Sequence, residues 1–96
     1  MPGLRGDPEY ASSPKEVNAR YMAGMHMALL KIARLKREGQ GIEDIGKQLP
    51  DVIKNSFEVN NVAAVYPEGV RSKNYRRLLS RATQLLQTEL SHLFHR

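Results

Sequence analysis

The sequence predicts an all-α protein, a small bundle of two long helices and a kinked shorter one that dimerisation completes. Three observations predict this class. Apolar residues recur at helical spacing over three segments of the 96-residue chain. Start and stop signals bound the first segment. Cysteine is absent, so no disulfide can hold a small irregular fold together. A single domain of this length has little core, and we therefore expect a homodimer.

The first helix is predicted from about Pro14 to Glu38. Ser13 and Glu16 form a capping box around Pro14 at the first helical position, and Gly39 is a natural stop. Its apolar stripe consists of Val17, Tyr21, Met25, Ala28, Leu29, Ile32 and Leu35. Three further apolar residues, Met22, Met27 and Leu30, widen that stripe and indicate a second set of neighbours, such as another chain.

Residues 41–60 form a second, weaker helical segment. Its helical spacing is kept by Ile42, Ile45, Leu49, Val52, Ile53 and Phe57. Pro50 interrupts the pattern and is expected to kink the helix or restart it at Asp51. Glu43, Asp44 and Asp51 would then lie at helix starts, where carboxylates are favourable.

The third helix is predicted from about Val70 to Phe94, after a connector over residues 61–69 with a turn at Pro67-Glu68-Gly69. At 100° per residue, one side is apolar and contains Tyr75, Leu78, Leu79, Ala82, Leu85, Leu86, Leu90 and Leu93. The opposite side, called the polar row here, consists of Lys73, Arg77, Arg81, Gln84, Thr88, Ser91 and His95. No carboxylate interrupts the polar row, whereas ordinary exposed helices mix Glu and Lys.

Composition narrows the class of protein. A net charge of +5 favours acidic partners, nucleic acid before an anionic membrane or an acidic protein. No apolar run reaches transmembrane length, and the N-terminus does not resemble a signal peptide. Residues 1–12 are rich in Gly and Pro and are expected to form a flexible tail, which leaves residues 13–96 as one helical domain. We expect a cytoplasmic protein that does not bind membranes, located in the host cytoplasm if it is viral.

Catalytic and metal-binding patterns have little support. His92 and His95 at i,i+3, with Glu89 one turn earlier, are better interpreted as surface residues of a basic helix than as metal ligands. Gly39-Gln40-Gly41 follows a helix rather than a strand, so it is a linker and not a phosphate loop. We expect no enzyme, no metal, no cofactor and no small-molecule substrate.

The densest basic cluster lies at the start of the third helix. Arg77 and Arg81 are one turn apart on the same face, and Arg76 adjoins them. No stacking platform is evident, since Tyr75 belongs to the apolar side and Phe94 lies near its edge. A duplex recognised through phosphates and 2′-hydroxyls therefore fits better than a stacked single strand. A solvated outer face of a helical subunit remains the alternative for the same residues.

The second half of the chain also resembles a known family. Leu49-Pro50-Asp51 with Ile53, then Tyr66 in the connector, then Asn74-Tyr75-Arg76-Arg77-Leu78, is similar to the nodavirus RNA-silencing suppressors over about residues 42–94. The resemblance implies a small helical dimer that lays basic and polar side chains along double-stranded RNA and shields it from the host silencing machinery. It implies that Arg77 contacts RNA, while Arg81 and Gln84 fall on the same face.

Two departures from that family shape the expected site. The first helix has no counterpart that can be placed in the family, and the third helix has no Lys or Arg between Arg81 and His92. We therefore expect the first helix to supply further cations through Lys31, Arg34 or Arg37. The full predicted nucleic-acid-binding set is Lys73, Arg76, Arg77, Arg81, Gln84, Thr88, Ser91, Lys31, Arg34 and Arg37.

Three functions remain open from the sequence. The first is an RNA-binding homodimer that recognises duplex RNA by shape and suppresses RNA silencing, with a host silencing protein as a further possible partner. The second is a helical assembly subunit or adaptor that binds protein rather than nucleic acid. The wide, Met-rich apolar stripe of the first helix is typical of such a protein-binding surface. The third is a DNA-binding helix-turn-helix beginning at residues 41–49, which would need a turn and a recognition helix after Leu49.

Overall fold

The computed structural model describes residues 14–95, which form three α-helices. Helix α1 spans Pro14–Arg37, α2 spans Ile42–Val59 and α3 spans Lys73–Phe94. Two 3-10 turns, Val62–Val65 and Gly69–Arg71, connect α2 to α3, and this part of the chain contains no strand. The all-α prediction is confirmed, and dimerisation stays a prediction. The predicted tail and the Ser13 cap lie outside the described residues.

Helix α1 ends as the sequence predicts, because Gly39 adopts a backbone conformation that disfavours other residues. Its φ is +94°, in the left-handed region. The Gly39 N–H donates to the Lys36 carbonyl at 3.0 Å and the Gln40 N–H donates to the Leu35 carbonyl at 3.1 Å. This pair of hydrogen bonds is the Schellman arrangement that caps the last carbonyls of a helix.

Helix α2 continues through Pro50, so the predicted restart at this residue does not occur. Its buried side consists of Ile45, Leu49, Val52, Ile53, Ser56 and Phe57. That row spans the proline on both sides, and packing of the row holds one helix where local preference favours a break. Asp51 therefore lies inside a helix, and the dipole argument applies only to Glu43 and Asp44 in the first turn. The turn that a helix-turn-helix would need after Leu49 is absent.

The connector between α2 and α3 is ordered 3-10 structure with buried Val62 and Val65. The predicted turn forms, with the Gly69 N–H donating to the Tyr66 carbonyl at 2.9 Å. Helix α3 begins at Lys73 rather than near Val70, because Ser72 is its N-cap. The Ser72 hydroxyl oxygen accepts the Tyr75 N–H at 3.3 Å.

Helix α2 lies between the two long helices and packs against both, while α1 and α3 contact each other little. The bundle measures 50 × 23 × 18 Å. Arg20 Nη1 on α1 donates to the Asn61 carbonyl at 2.9 Å, which fixes the start of α1 beside the end of α2. Lys36 Nζ donates to the Leu93 carbonyl at 2.7 Å, so the C-terminal ends of α1 and α3 meet.

The core follows the predicted stripes with the exception of Leu85. Among the buried residues are Ala28, Ile32, Leu35, Ile45, Leu49, Ile53, Phe57, Tyr75, Ala82, Leu86 and Leu90. Leu85, predicted on the apolar side of α3, is 48% exposed, and Met22 and Leu30 on α1 are each 59% exposed. Within residues 14–95, no helix combines the length and the hydropathy needed to cross a bilayer.

Candidate nucleic-acid interface

The polar row lies on the outer side of α3, away from the core. Lys73, Arg77, Arg81, Gln84 and Thr88 are exposed and Ser91 is half-buried. The row runs from Lys73 to His95, which is about 33 Å at the rise of an α-helix. Within residues 14–95, no carboxylate lies within ion-pair distance of Lys73, Arg76, Arg77 or Arg81. These charges are therefore available to an outside anion.

The four cations are concentrated at the N-terminal end of α3. Lys73, Arg76, Arg77 and Arg81 fall within its first nine residues, and its first turn contains no acid. By contrast, Glu16 lies in the first turn of α1, and Glu43 and Asp44 in that of α2. Because a helix N-terminus is itself positive, cations there raise the local potential at a cost to helix stability. A phosphate at this end would relieve the repulsion.

Two tyrosines, the buried Tyr75 and the half-buried Tyr66, pack beneath the start of α3. The rings of Tyr66 and Tyr75 pack at a centroid distance of 5.7 Å. Burial raises the pKa of both phenols above 10.0, and the negative charge of Glu58 adds to the rise in the pKa of Tyr75. The Tyr75 hydroxyl is buried without a hydrogen-bond partner among the described residues. Tyr75 is thus committed to the core and cannot stack on a nucleobase.

The uncharged part of the polar row continues towards the C-terminus. Thr88 Oγ1 donates to the Gln84 carbonyl at 3.4 Å, a long bond that leaves the hydroxyl oxygen able to accept another. Gln84 also borders a groove of about 540 Å³ between α2 and α3. Amide and hydroxyl groups at these positions can donate to phosphate oxygens or pair with 2′-hydroxyls.

Three polar neighbours of Gln84 were missed by the sequence analysis. Ser80, Thr83 and Gln87 line the same α2–α3 groove, opposite Pro50, Asp51 and Lys54. Their spacing of i, i+3 and i+7 places them on one side of α3 and is the signal that could have identified them. The hydroxyl of Thr83 already donates to the Leu79 carbonyl at 2.8 Å.

The cations predicted on α1 lie together but apart from the polar row. Lys31, Arg34 and Arg37, called the α1 cation group here, border one shallow depression with Met27 and Leu30. Arg34 Nε lies 3.7 Å from Glu38 Oε2 in an exposed ion pair. Such a pair is weak, so Arg34 can still interact with an outside anion. The neighbouring Lys36 donates a hydrogen bond from Nζ to the Leu93 carbonyl, and the same atom lies 5.2 Å from the centroid of the Phe94 ring.

Helix packing separates the two basic groups along the bundle. Since Lys36 meets α3 at Leu93, the α1 cation group lies near the C-terminal end of α3. Arg81 precedes Leu93 by roughly 18 Å of helix. Helix α2 lies between α1 and α3. Its Asp51 borders two grooves, one that Lys31 of α1 also lines and one that Gln84 of α3 also lines. The structure thus presents two basic areas on either side of an acidic residue rather than one continuous patch.

The C-terminal histidines do not form part of a larger ligand cluster. His92 Nδ1 lies 3.9 Å from Glu89 Oε1, with both side chains exposed. Among residues 14–95, no three His, Cys, Asp or Glu side chains come together in a way that could hold a metal ion. Among the described residues, the polar row is therefore the surface that combines exposed cations with hydrogen-bonding side chains along one side of a helix.

Comparisons with known proteins add no relative. No protein-family model matches the chain, and no curated protein and no solved structure resembles it significantly.

Proposed function

We propose that this protein binds double-stranded RNA by shape through the polar row of α3 and thereby suppresses RNA silencing. The observation that carries the proposal is the exposed set of cations at the start of α3, which have no ion-pair partner within residues 14–95 and are continued by Gln84, Thr88 and Ser91 on the same side. Arg77 and Arg81, one turn apart, bind phosphates, and Arg76 and Lys73 extend the contact. The uncharged side chains add phosphate or 2′-hydroxyl contacts.

Physical chemistry favours a duplex over a single strand. Single-strand binders combine a basic groove with aromatic platforms, and the polar row contains no Phe, Tyr or Trp. A straight helix with phosphate and hydroxyl contacts matches the shape of an A-form duplex without distinguishing its sequence. Binding is therefore expected to be independent of sequence and to weaken steeply as salt rises.

The link to silencing is supported by the resemblance of residues 42–94 to the nodavirus suppressors. Under this proposal the protein acts as a homodimer in the cytoplasm and shields the duplex from the host nuclease. A duplex RNA of the sequence used for binding should then resist cleavage by an RNase III-type enzyme when the protein is present. Unchanged cleavage at saturating protein would refute the shielding step while leaving RNA binding intact.

The first experiment is a gel-shift titration at two salt concentrations. The probes are an RNA duplex of about 25 base pairs, longer than the span of common duplex-binding domains, the matching DNA duplex and the single strands. We expect tight, salt-sensitive binding to the RNA duplex alone. Equal binding to the DNA duplex would contradict shape recognition, and binding to none would leave the polar row as solvated surface.

Charge reversal locates the site. Arg77→Glu with Arg81→Glu should abolish binding and leave helicity unchanged, because both side chains are exposed. Lys15→Glu with Lys47→Glu is the matched control, with the same charge change at two exposed residues outside α3. The milder Arg81→Gln should flatten the slope of log K against log salt by about one. Equal losses from both double variants would indicate general electrostatics instead of a site.

The α1 cation group is a secondary part of the proposal. Lys31→Glu with Arg34→Glu is expected to weaken RNA binding less than reversal of Arg77 and Arg81, because helix packing places this group far from them. A greater loss from the α1 variant would move the principal interface to α1. Helicity by circular dichroism serves as the control for folding in each case.

A helical assembly subunit remains the second candidate, because Met22 and Leu30 on α1 and Val59 on α2 are exposed. That function predicts a protein purified with little nucleic acid that shows no affinity for the RNA duplex. The ratio of absorbance at 260 and 280 nm after purification, read together with the gel shift, distinguishes the two candidates.

A further inference from the structure

The middle of α1 carries no charge on any side. Between Tyr21 and Leu30, about three turns of helix, there is no Lys, Arg, Asp or Glu. Only one side of this segment is needed for the core, through residues such as Ala28. Apart from His26 the segment is apolar around its circumference, which is typical of a helix covered on all sides. The structure covers one side and leaves Met22 and Leu30 each 59% exposed.

The uncovered side has the spacing of a helix–helix seam. It consists of Ala19, Met22, Ala23, His26, Leu30 and Ala33, called the α1 stripe here, of which all but Ala33 are exposed. The steps from 19 to 23, 26, 30 and 33 alternate between four and three residues, as in a coiled coil. Alanine near each end lets two helix axes approach closely, while Met22 and Leu30 supply the bulk between them.

We propose that a second copy of this chain docks on the α1 stripe with its own α1 antiparallel. A two-fold axis beside His26 places Met22 against the partner's Leu30 and Ala19 against the partner's Ala33. The stripe is close to palindromic about His26, which is what an isologous interface requires. The inference rests on the homodimer of the proposed function and does not depend on RNA binding.

The position of the α1 cation group favours an antiparallel over a parallel pairing of the two α1 helices. A parallel pair would put the α1 cation groups of both copies side by side. In the antiparallel pair the two groups extend in opposite directions from the axis, so the two copies of Arg37 are separated by about 33 Å along the helices and the two copies of Lys31 by about 15 Å. The α1 stripe contains no Lys, Arg, Asp or Glu, but Lys31, Arg34 and Arg37 border it beside Leu30. Its near-palindromic order is the feature that favours a second copy over another protein.

The size of the seam sets the strength of the dimer. From Ala19 to Ala33 it is about 21 Å long, and Met27 with Val59 extends it towards α2, where both border the α1–α2 groove. One helix pair of this length buries less than the roughly 800 Å² per partner of a standard interface. Dissociation in the micromolar range is therefore expected.

Docking through α1 leaves the candidate RNA surface free. The α1 stripe and the polar row each lie on the side of their own helix opposite the shared core. A dimer formed in this way presents two copies of the polar row.

Analytical ultracentrifugation of the full chain from about 1 to 200 µM tests the interface over the range expected for such an affinity. The native protein should shift from monomer to dimer, and Met22→Glu with Leu30→Glu should remain monomeric with unchanged helicity. Val70→Glu with Leu85→Glu is the matched control, because these residues are 59% and 48% exposed and lie off the stripe. The control should dimerise normally. A native monomer throughout, a dimeric stripe variant or a monomeric control would each overturn the proposal.

Cross-linking tests the orientation in a chain that has no native cysteine. His26→Cys should form a disulfide dimer on oxidation, because residue 26 faces its own copy across the axis. Ala19→Cys alone should not, since its two copies are roughly 21 Å apart, but it should cross-link to Ala33→Cys in a mixture. Self-linking of Ala19→Cys would indicate a parallel pair. RNA binding by the Met22→Glu, Leu30→Glu protein reports on the polar row separately, so the two proposals can fail independently.

Discussion

Gly24 lies where α1 passes closest to α2, and replacing it with alanine gives a sharp test of the packing. A Cβ at Gly24 would lie 2.6 Å from Phe57 Cδ1 and 2.9 Å from Phe57 Cε1. Carbon atoms prefer a separation of about 3.5–4.0 Å, so the methyl group is roughly 1 Å too close to the ring. Phe57 is fully buried and packs edge-on against Tyr21, with centroids 5.7 Å apart, so the ring has no free direction to move.

Two opposing effects set the magnitude. Overpacking of a core costs about 1–3 kcal/mol, whereas replacing glycine by alanine inside a helix stabilises by about 0.5–1 kcal/mol. Gly24→Ala should therefore change the free energy of unfolding by between about 0 and 2.5 kcal/mol in the destabilising direction on balance. Gly46→Ala is the matched control, because Gly46 lies inside α2 with nothing within 4 Å of its Cβ position. It should stabilise by about 0.5–1 kcal/mol.

Urea unfolding followed by circular dichroism, at one fixed protein concentration, measures both changes. In thermal unfolding the same variants should move Tm in opposite directions, by about 4–8 °C per kcal/mol for a domain of this size. In a Phe57→Leu background the penalty of Gly24→Ala should fall by about 1 kcal/mol or more, because the clashing ring atoms are gone. Stabilisation by Gly24→Ala equal to that by Gly46→Ala would refute the packing of α1 on α2 described above.

Three further substitutions test other parts of the fold. Ser72→Ala should cost about 1 kcal/mol by removing the α3 N-cap, and an unchanged urea midpoint would contradict that role. Pro50→Ala should stabilise by about 1–3 kcal/mol, since it restores a helical N–H donor inside α2, and a loss of stability would contradict the continuous helix. Burial holds the phenol pKa of Tyr75 above its unfolded value of 10.0, so stability present below pH 10 should fall as pH rises past it. Tyr75→Phe should reduce that alkaline loss and be neutral or slightly stabilising at neutral pH, because it removes an unpaired buried hydroxyl; an undiminished alkaline loss would assign the titration elsewhere.

Local chemistry made parts of the fold predictable. The end of α1 follows from Gly39, since few other residues adopt its backbone conformation. Helical spacing alone placed the polar row on the outside of α3. Of the two alternatives at Pro50, the restart was wrong because burial of neighbours such as Leu49 and Ile53 outweighs the local preference of proline. The kink stays a prediction. Helix α3 begins at Lys73, three residues after the predicted Val70, because Ser72 is its N-cap.

Relations between helices were beyond prediction from sequence. The way α1 and α3 pack on α2 decides whether Lys31 and Arg81 lie on the same surface. Helical spacing within one segment does not predict how two helices pack. Leu85 fits the apolar periodicity of α3, yet it lies past the edge of the area that α2 and α1 cover. Periodicity identifies which side of a helix is apolar, but the width of the neighbour decides how much of that side is buried.

The central position of α2 has a consequence for how the molecule opens. Because α1 and α3 each rest on α2 and contact one another little, loss of α2 leaves neither long helix with an apolar surface to pack against. Local opening should therefore begin at the outer helices, and amides around Ile53 and Phe57 should exchange with solvent only on global unfolding. Helix α2 has the weakest helical pattern in the sequence and contains a proline. It is nevertheless the element that couples α1 to α3, so that both are lost together when the protein unfolds.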